Sequence, residues 1–326
     1  MIARHVLEIP ELGTEGLQIP YFDIRGRRDG PQLTVLAGVH GAEYASISAA
    51  REFVAALDPK AVSGRLIVVP VVNVPAFWSR SAFVVPADGK NLNRNFPGDP
   101  EGSFSEVLAH RVFSSLVLGS DYLLDMHAGD LVESLEPFTI FEESAVESAS
   151  RELATAYGLA HQVRQPAAVR TVAGSTCAAA ADAGIPAIIA ESGQNGLMEQ
   201  SAIALHLAGL GNLARTVGVL DGDPWPVRAV QHHEGWHWLR TDRAGWWQPA
   251  VPTGTSVAAG QLLGTVSDVW GDVFAEVLAP EAGTLLFLTS SPAVEADGLL
   301  LGLARDTPGS ALPAPPDSSI NLGQGA

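Results

Sequence analysis

The sequence predicts an α/β fold, a mostly parallel or mixed sheet flanked by helices, followed by a small all-β unit. Apolar runs rich in β-branched residues, such as 64–72, are typical of strands buried on both faces. They alternate with helix-like stretches such as the Ala-rich segment 44–57. Strands that alternate with helices favour a parallel sheet covered on both sides.

The expected elements follow in chain order. The expected strands are an edge pair within 1–32, with 19–24 the better one, and then 33–37, 64–72, 122–127, 137–141 and 185–191. The expected helices are 44–57, 105–118, 144–157, 176–183 and 197–217. Residues 73–99 are rich in Asn, Pro, Arg and Gly, and we expect a long functional or disordered loop there.

The composition of the chain changes near residue 222. We therefore expect a catalytic unit over 1–222, a β-rich barrel-sandwich over 223–306 and a disordered tail over 307–326. The β-rich segment looks like a lipoyl or biotinyl carrier, but the only lysines are Lys60 and Lys90, so no carrier lysine lies in it. It is expected to be structural, a lid or an oligomer contact.

Charge and cysteine usage narrow the classes of partner. The 326-residue chain carries a net charge of −17, which disfavours nucleic acid and anionic membranes. Cys177 is the only cysteine, and the N-terminus lacks the apolar core of a signal peptide. We expect a cytoplasmic protein with a small-molecule substrate, and a homo-oligomer is left open.

Three predicted strands end in residues suited to metal chemistry. His40 and Glu43 lie on a glycine turn after strand 33–37, His127 ends strand 122–127, and Glu191 ends strand 185–191. Ligands of open α/β sheets bind at this end of the strands. Two histidines and a glutamate form the protein ligand set of a catalytic zinc ion, and Glu191 would then be the general base.

Four motifs in order resemble the succinylglutamate desuccinylase/aspartoacylase group of zinc carboxypeptidase-like hydrolases, over about residues 30–215. The motifs are Gly38-Val-His-Gly-Ala-Glu43, Asp88-Gly-Lys-Asn-Leu-Asn-Arg-Asn-Phe-Pro-Gly98, Asp125-Met-His-Ala-Gly-Asp130 and Ala190-Glu-Ser-Gly193. The resemblance implies one zinc ion per chain on His40, Glu43 and His127, with Glu191 catalytic. It also implies an N-acyl amino acid substrate and an appended β domain.

The resemblance further implies that Asn93 and Arg94 hold the substrate's carboxylate. A guanidinium matches a carboxylate with two parallel hydrogen bonds, although Arg94 also fits a surface position. Members of the family that take acidic acyl groups often carry an arginine near Phe83, so a small or apolar acyl group fits equally well here. Arg80 is a candidate substitute and a candidate partner of the oxyanion.

Asp125 lies two residues before His127 and points to the same face of the strand. It either orients the imidazole or caps a turn. His232, His233 and His237 fall in the β-rich segment, where surface and packing roles are expected rather than a second metal site.

The sequence therefore predicts a zinc-dependent amidohydrolase that releases an amino acid or diamine from its N-acyl form. One alternative is a zinc carboxypeptidase acting on peptides. A second is a metal-free binding protein that keeps the fold without catalysis.

Overall fold

The computed structural model describes residues 1–169, 172–227 and 229–307. Its helices are α1 (Tyr44–Ala56), α2 (Val74–Ser79), α3 (Phe104–Val112), α4 (Glu147–Tyr157), α5 (Thr176–Asp182) and α6 (Gln200–Thr216). Its strands are β1 (Ile2–Ile9), β2 (Leu17–Arg25), β3 (Arg28–Ala37), β4 (Ser63–Val69), β5 (Tyr122–His127), β6 (Glu133–Leu135), β7 (Phe138–Glu142), β8 (His161–Gln165), β9 (Ala187–Glu191), β10 (Gln231–Arg240), β11 (Gly245–Pro249), β12 (Ser256–Val257), β13 (Leu262–Ser267), β14 (Val273–Leu278), β15 (Gly283–Thr289), β16 (Ala293–Val294) and β17 (Leu299–Asp306). The tail predicted to be disordered lies, from residue 308 on, outside the described residues.

One long mixed sheet organises the molecule, in the order β1-β2-β4-β3-β5-β9-β7-β8-β10-β17-β15-β12. Its centre is parallel: β3 pairs with β4 and β5, and β5 pairs with β9. The carboxyl ends of β3, β5 and β9 therefore meet at one edge of the sheet. This arrangement confirms the predicted α/β fold.

Helices cover both faces of this sheet, and each face has its own apolar core. Helices α1, α4 and α6 pack on one face through small residues such as Ala45 and Ala49 and larger ones such as Leu153 and Leu210. On the other face, α3 and α5 contribute Leu108 and Ala180 to the second core. The continuous apolar strand runs exist because central strands bury both faces.

Three local predictions differ from the structure. The helix expected to reach residue 118 ends at Val112 and continues as a single π turn, Phe113–Val117. The long loop contains α2 and a 3₁₀ turn, Leu92–Arg94. Strand β8 was not predicted, because His161–Gln165 is largely polar; it forms because β7 and β10 pair with it on either side.

The C-terminal unit is a pair of packed antiparallel sheets. A four-stranded sheet, β14-β13-β11-β16, faces the β17-β15-β12 end of the long sheet. Trp247, Leu263 and Leu301 are among the buried residues of the core between them. The described strands form no closed barrel. The domain boundary expected after residue 222 stays a prediction, since the long sheet includes strands from both sides of that residue.

The longest helix, α6, has 17 residues, and none of the helices in the described ranges has the length and apolar character needed to cross a bilayer.

Two buried histidines lie where β8 meets β10. His161 Nδ1 is 3.0 Å from His233 Nε2, and His233 Nδ1 is 3.0 Å from a carboxylate oxygen of Asp306. Burial lowers the pKa of both imidazoles to about 4, and the neighbouring His233 adds to the effect on His161. The folded protein therefore holds both rings neutral.

We predict that this pair makes the protein acid-sensitive. The unfolded state binds these protons near pH 6.5 and the folded state only near pH 4, so stability falls as pH drops between the two values. Each ring adds up to about 1.4 kcal/mol of lost stability per pH unit in that window. Denaturant unfolding of the double variant His161→Gln, His233→Gln should show a shallower pH dependence than the wild type.

The exposed His5 provides the matched control for this measurement. His5→Gln should keep the wild-type slope. Equal slopes for the wild type and the double variant would contradict the assignment.

Candidate metal centre

The turn after β3 is shaped by two glycines. Gly38 has φ +61°, which L-residues with a side chain rarely adopt. Gly41 is needed for space: a Cβ there would lie 2.2 Å from the backbone nitrogen of Phe77 in α2. Together they allow His40 and Glu43 to face the end of β5.

Glu43 joins two imidazoles through its two carboxylate oxygens. Its Oε1 is 2.6 Å from His40 Nδ1, and its Oε2 is 2.9 Å from His127 Nδ1. The ligand atoms of the three residues all lie within 4.8 Å of one another, and all three residues are buried. The rings of His40 and His127 have centroids 5.0 Å apart. The structure thus brings together the three residues that the sequence predicts as metal ligands.

The far nitrogen of each ring is held by a separate acceptor. His127 Nε2 is 2.9 Å from Asp125 Oδ2, and His40 Nε2 is 3.0 Å from Asn91 Oδ1. A ring that donates from Nε2 keeps the Nδ1 lone pair free. Both Nδ1 atoms and the Glu43 carboxylate then point to one place, which fits a tetrahedral ion with an open fourth position.

The electrostatics of the centre favour positive charge. Burial opposes ionisation of Glu43, but the imidazoles of His127 and His40 outweigh it and lower the pKa of the carboxyl to about 2. Burial also opposes protonation of His127, yet Asp125 and Glu43 raise its pKa well above the usual range. A carboxylate-rich buried pocket of this kind suits a divalent cation.

Glu191 lies beside the predicted metal ligands. It pairs in register with His127 across β5 and β9. Its Oε2 atom is buried and has no hydrogen-bond partner among the described residues. Burial raises the pKa of Glu191 to about 8, and Glu43 and Asp125 add to the shift while His127 opposes it. An unpartnered buried carboxylate oxygen is expected to serve a ligand or a reaction.

These groups open into a cavity of about 1170 Å³. Asn93 and Arg94, both predicted to bind substrate, line it. The amide of Asn93 is already engaged: its oxygen accepts from the Thr176 N–H at 2.9 Å, and its nitrogen is 3.3 Å from His127 Nε2. Arg94 donates from Nη1 to the Asn93 carbonyl, and the other nitrogens of its guanidinium have no hydrogen-bond partner among the described residues.

Arg80 is not among the residues that line this cavity. It ends α2 with φ 56° and lies in a second depression, next to Trp78 and Tyr21. Phe83 does line the cavity, with its ring centroid 6.5 Å from that of His40. The structure therefore does not bring Arg80 together with the metal centre.

The C-terminal unit supplies one wall of the cavity, through Trp238 from β10, Phe287 from β15 and Leu299 from β17. Trp238 stacks on Trp236, with centroids 4.9 Å apart, and contacts the edge of Phe287 at 5.5 Å. These aromatic rings therefore bound the cavity on the side of the C-terminal unit.

Three polar groups around the site are not among the residues predicted from sequence. Asn91 holds His40, Thr176 donates a short hydrogen bond to Asp125, and Glu133 lines the cavity. Asn91 lies inside the Asp88–Gly98 motif, so its position there was a signal. Thr176 and Glu133 are brought in by chain segments with no motif of their own.

Comparison with known proteins places these features in a family. The succinylglutamate desuccinylase/aspartoacylase catalytic domain matches residues 29–217. The chain is 28% identical over 250 residues to the N-alpha-acetyl-L-2,4-diaminobutyric acid deacetylase of Halomonas elongata, covering 74% of this chain and 72% of that protein.

Solved structures agree over nearly the whole chain. The succinylglutamate desuccinylase/aspartoacylase of Rhodobacter sphaeroides has a TM-score of 0.83 at 25% identity, covering 94% of this chain and 95% of that one. The product-bound ectoine utilization protein of Ruegeria pomeroyi has a TM-score of 0.84 at 24% identity, covering 93% and 95%. The second likeness shows a shared fold.

We predict that Asn91→Ala and Asp125→Ala each lower the affinity for zinc by about 10- to 100-fold, because the ring that each supports loses its orientation. His127→Ala should reduce bound metal to near zero. Competition with a chromogenic chelator measures all three.

The exposed Glu52, on α1, gives a control carboxylate near Glu43 in sequence. Glu52→Gln should bind metal as the wild type does. Unchanged zinc affinity in Asn91→Ala would show that the hydrogen bond to His40 does not support the ligand.

Proposed function

Because this chain belongs to the succinylglutamate desuccinylase/aspartoacylase family, we propose that it is a zinc-dependent hydrolase that cleaves the amide bond of small N-acyl amino acids. The observation that carries the proposal is the convergence of His40, Glu43 and His127 beside the unpartnered carboxylate oxygen of Glu191. The names of the relatives, a deacetylase among them, support hydrolysis of an amide.

The donor set supports zinc as the ion. Two imidazole nitrogens and one carboxylate are ligands that zinc accepts, and three protein ligands are typical of a catalytic zinc site. When bound, a zinc ion supplies Lewis acidity to a water molecule and to the carbonyl oxygen of the substrate. His40 and His127 would hold it through Nδ1, because Asn91 and Asp125 hold the opposite nitrogens.

Glu191 moves the proton. Its carboxylate accepts a proton from the attacking water as the new C–O bond forms at the carbonyl carbon. It then passes that proton to the amide nitrogen as the C–N bond breaks, so the products are a carboxylic acid and a free amine. Its position next to His127 on the adjacent strand places it at the same cavity edge.

Arg94 binds the carboxylate of the substrate. Its guanidinium opens into the cavity and is oriented by the bond to the Asn93 carbonyl. Burial lowers the pKa of Arg94, and the carboxylates of Glu133 and Glu191 oppose that change. Asn93 keeps its predicted role as a neighbouring contact, and its amide oxygen also accepts the Thr176 N–H.

Phe83 and the C-terminal wall favour small substrates over peptides. Phe83 supplies an apolar surface near His40 where an acidic acyl group would need a cation. Trp238 and Leu299 bound the cavity on the side of the β sheets. We assign the reaction to a small molecule in the cytoplasm, where the single buried Cys177 would stay reduced. Roles for Arg80 and for a homo-oligomer stay predictions.

We predict that Glu191→Gln keeps its zinc but lowers kcat by about 10²- to 10⁴-fold, because the amide can bind in the same space but cannot accept the proton. Steady-state hydrolysis of N-acetyl, N-formyl and N-succinyl amino acids, together with metal analysis of the same samples, measures both effects. Glu152→Gln, an exposed change on α4, is the matched control.

A Gln variant that turns over at the wild-type rate would remove Glu191 from the reaction. Wild-type protein that contains no metal when purified without added zinc, and that hydrolyses none of the panel, would argue for the metal-free binding protein.

We predict that Arg94→Lys raises KM by about 10-fold or more with a smaller change in kcat, because an ammonium cannot form the two parallel hydrogen bonds of a guanidinium. N-acetyl amino acid amides, which lack the carboxylate, provide the test. The difference between acid and amide substrates should shrink in the variant, and an unchanged difference would contradict the assignment.

A further inference from the structure

Glu133 is a carboxylate on the cavity wall that the proposed reaction does not use. It begins β6, next to the turn that follows His127. Its backbone is fixed on both sides: its N–H donates to the Asp130 carbonyl at 3.0 Å, and its own carbonyl accepts from Asn195 at 2.7 Å. It also pairs in register with Thr289 of β15. The side chain therefore leaves a rigid point of the backbone.

Only one oxygen of this carboxylate is satisfied by the protein. Oε2 accepts the Asp130 backbone N–H at 2.9 Å. Within the described ranges, no hydrogen bond reaches Oε1, although the residue lines the cavity together with His40 and Glu191. One oxygen of this cavity-lining carboxylate is thus available to a ligand.

Glu133 has no counter-ion among the described residues, since no arginine, lysine or histidine nitrogen of those residues lies within 4.0 Å of it. Burial raises the pKa of Glu133 well above its usual range, and Glu43 and Glu191 add to the shift. A buried carboxylate without a cationic partner is costly. A cation that arrives with the substrate would offset that cost and would pair with the charge.

Charged side chains of both signs line the cavity besides the metal centre. Arg94 supplies a cation and Glu133 an anion, and the two act on each other electrostatically. A substrate with a carboxylate at one end and an ammonium group at the other would satisfy both. N-acyl amino acids with a neutral side chain would leave Glu133 unpaired.

Resting on the proposed hydrolase function, we infer that Glu133 binds a cationic amine of the substrate, and that the preferred substrates are mono-N-acyl derivatives of diamino acids. Such molecules keep one free amine after acylation. Glu133 would recognise the amine by its charge and by a hydrogen bond from the amine to Oε1. This contact would add to the binding of the substrate's carboxylate by Arg94.

The same wall opposes acidic acyl groups. The Phe83 backbone N–H donates to Asp130 Oδ2 at 2.8 Å, and the Asp130 N–H in turn bonds to Glu133. Asp130 thus links the backbone of Phe83 to the carboxylate of Glu133. A succinyl-type carboxylate placed there would meet negative charge rather than an arginine.

The test compares two substrates with one carbon skeleton, Nα-acetyl-2,4-diaminobutyrate and Nα-acetyl-2-aminobutyrate, which differ by the amine. We expect the wild type to favour the first by at least about 10-fold in kcat/KM, since loss of a buried charge partner is costly. Glu133→Gln should remove most of this preference by raising KM for the diamino substrate about 10- to 100-fold. Its kcat/KM for the neutral substrate should stay within about threefold of the wild type.

Glu133→Asp keeps the charge and should retain part of the preference, and unchanged zinc content and thermal unfolding show that the variants are folded. An equal loss with both substrates would mean that Glu133 only supports the turn, and the inference would be wrong. A wild type that hydrolyses both substrates with no preference for the diamino one would also overturn it.

A binding measurement separates this inference from the reaction itself. Calorimetric titration of zinc-loaded Glu191→Gln with the diamino substrate requires no turnover, and adding Glu133→Gln should weaken binding by at least about 10-fold. If the diamino substrate binds in this charge-dependent way but the wild type does not hydrolyse it, the proposed hydrolysis fails, while the binding of the amine by Glu133 stands. If neither substrate binds, the inference fails as well.

Discussion

The carboxylate of Glu43 is the contact on which the arrangement of the site depends. It lies between His40 and His127, touches both Nδ1 atoms, and also accepts the Ala128 backbone N–H at 3.2 Å. The turn after β3 and the end of β5 are thereby held together. Because the residues are buried, these charged contacts act in a low-dielectric setting where a missing partner is expensive.

The central sheet and the metal ligands could be predicted from sequence because their signals are local. Buried strands read as continuous apolar runs, and a histidine at a strand end followed by glycine indicates a site at the sheet edge. Asn91 and Glu133 could not be predicted in the same way. Their roles depend on how a long loop and a post-strand turn fold back over the site, which is a matter of distant contacts.

Strand β8 and the C-terminal unit are features of the fold that also depend on contacts between distant parts of the chain. The sequence of β8 has little apolar character, and its strand conformation comes from ladders on both sides. The C-terminal unit was expected as a separate module, and its β-rich character is confirmed. Its residues Trp238 and Phe287 nevertheless line the cavity, so the walls of the cavity are formed by segments far apart in sequence.

The parallel ladder between β8 and β10 has a consequence for how this protein can be divided. A chain cut after residue 222 would leave β8 with an open row of N–H and C=O groups, and exposed strand edges pair readily with other chains. It would also uncover Phe138, whose ring now packs against Trp236 at 5.2 Å. The C-terminal strands therefore cover the edge of β8. A gene fusion or domain exchange at this junction would have to supply another strand that pairs with β8.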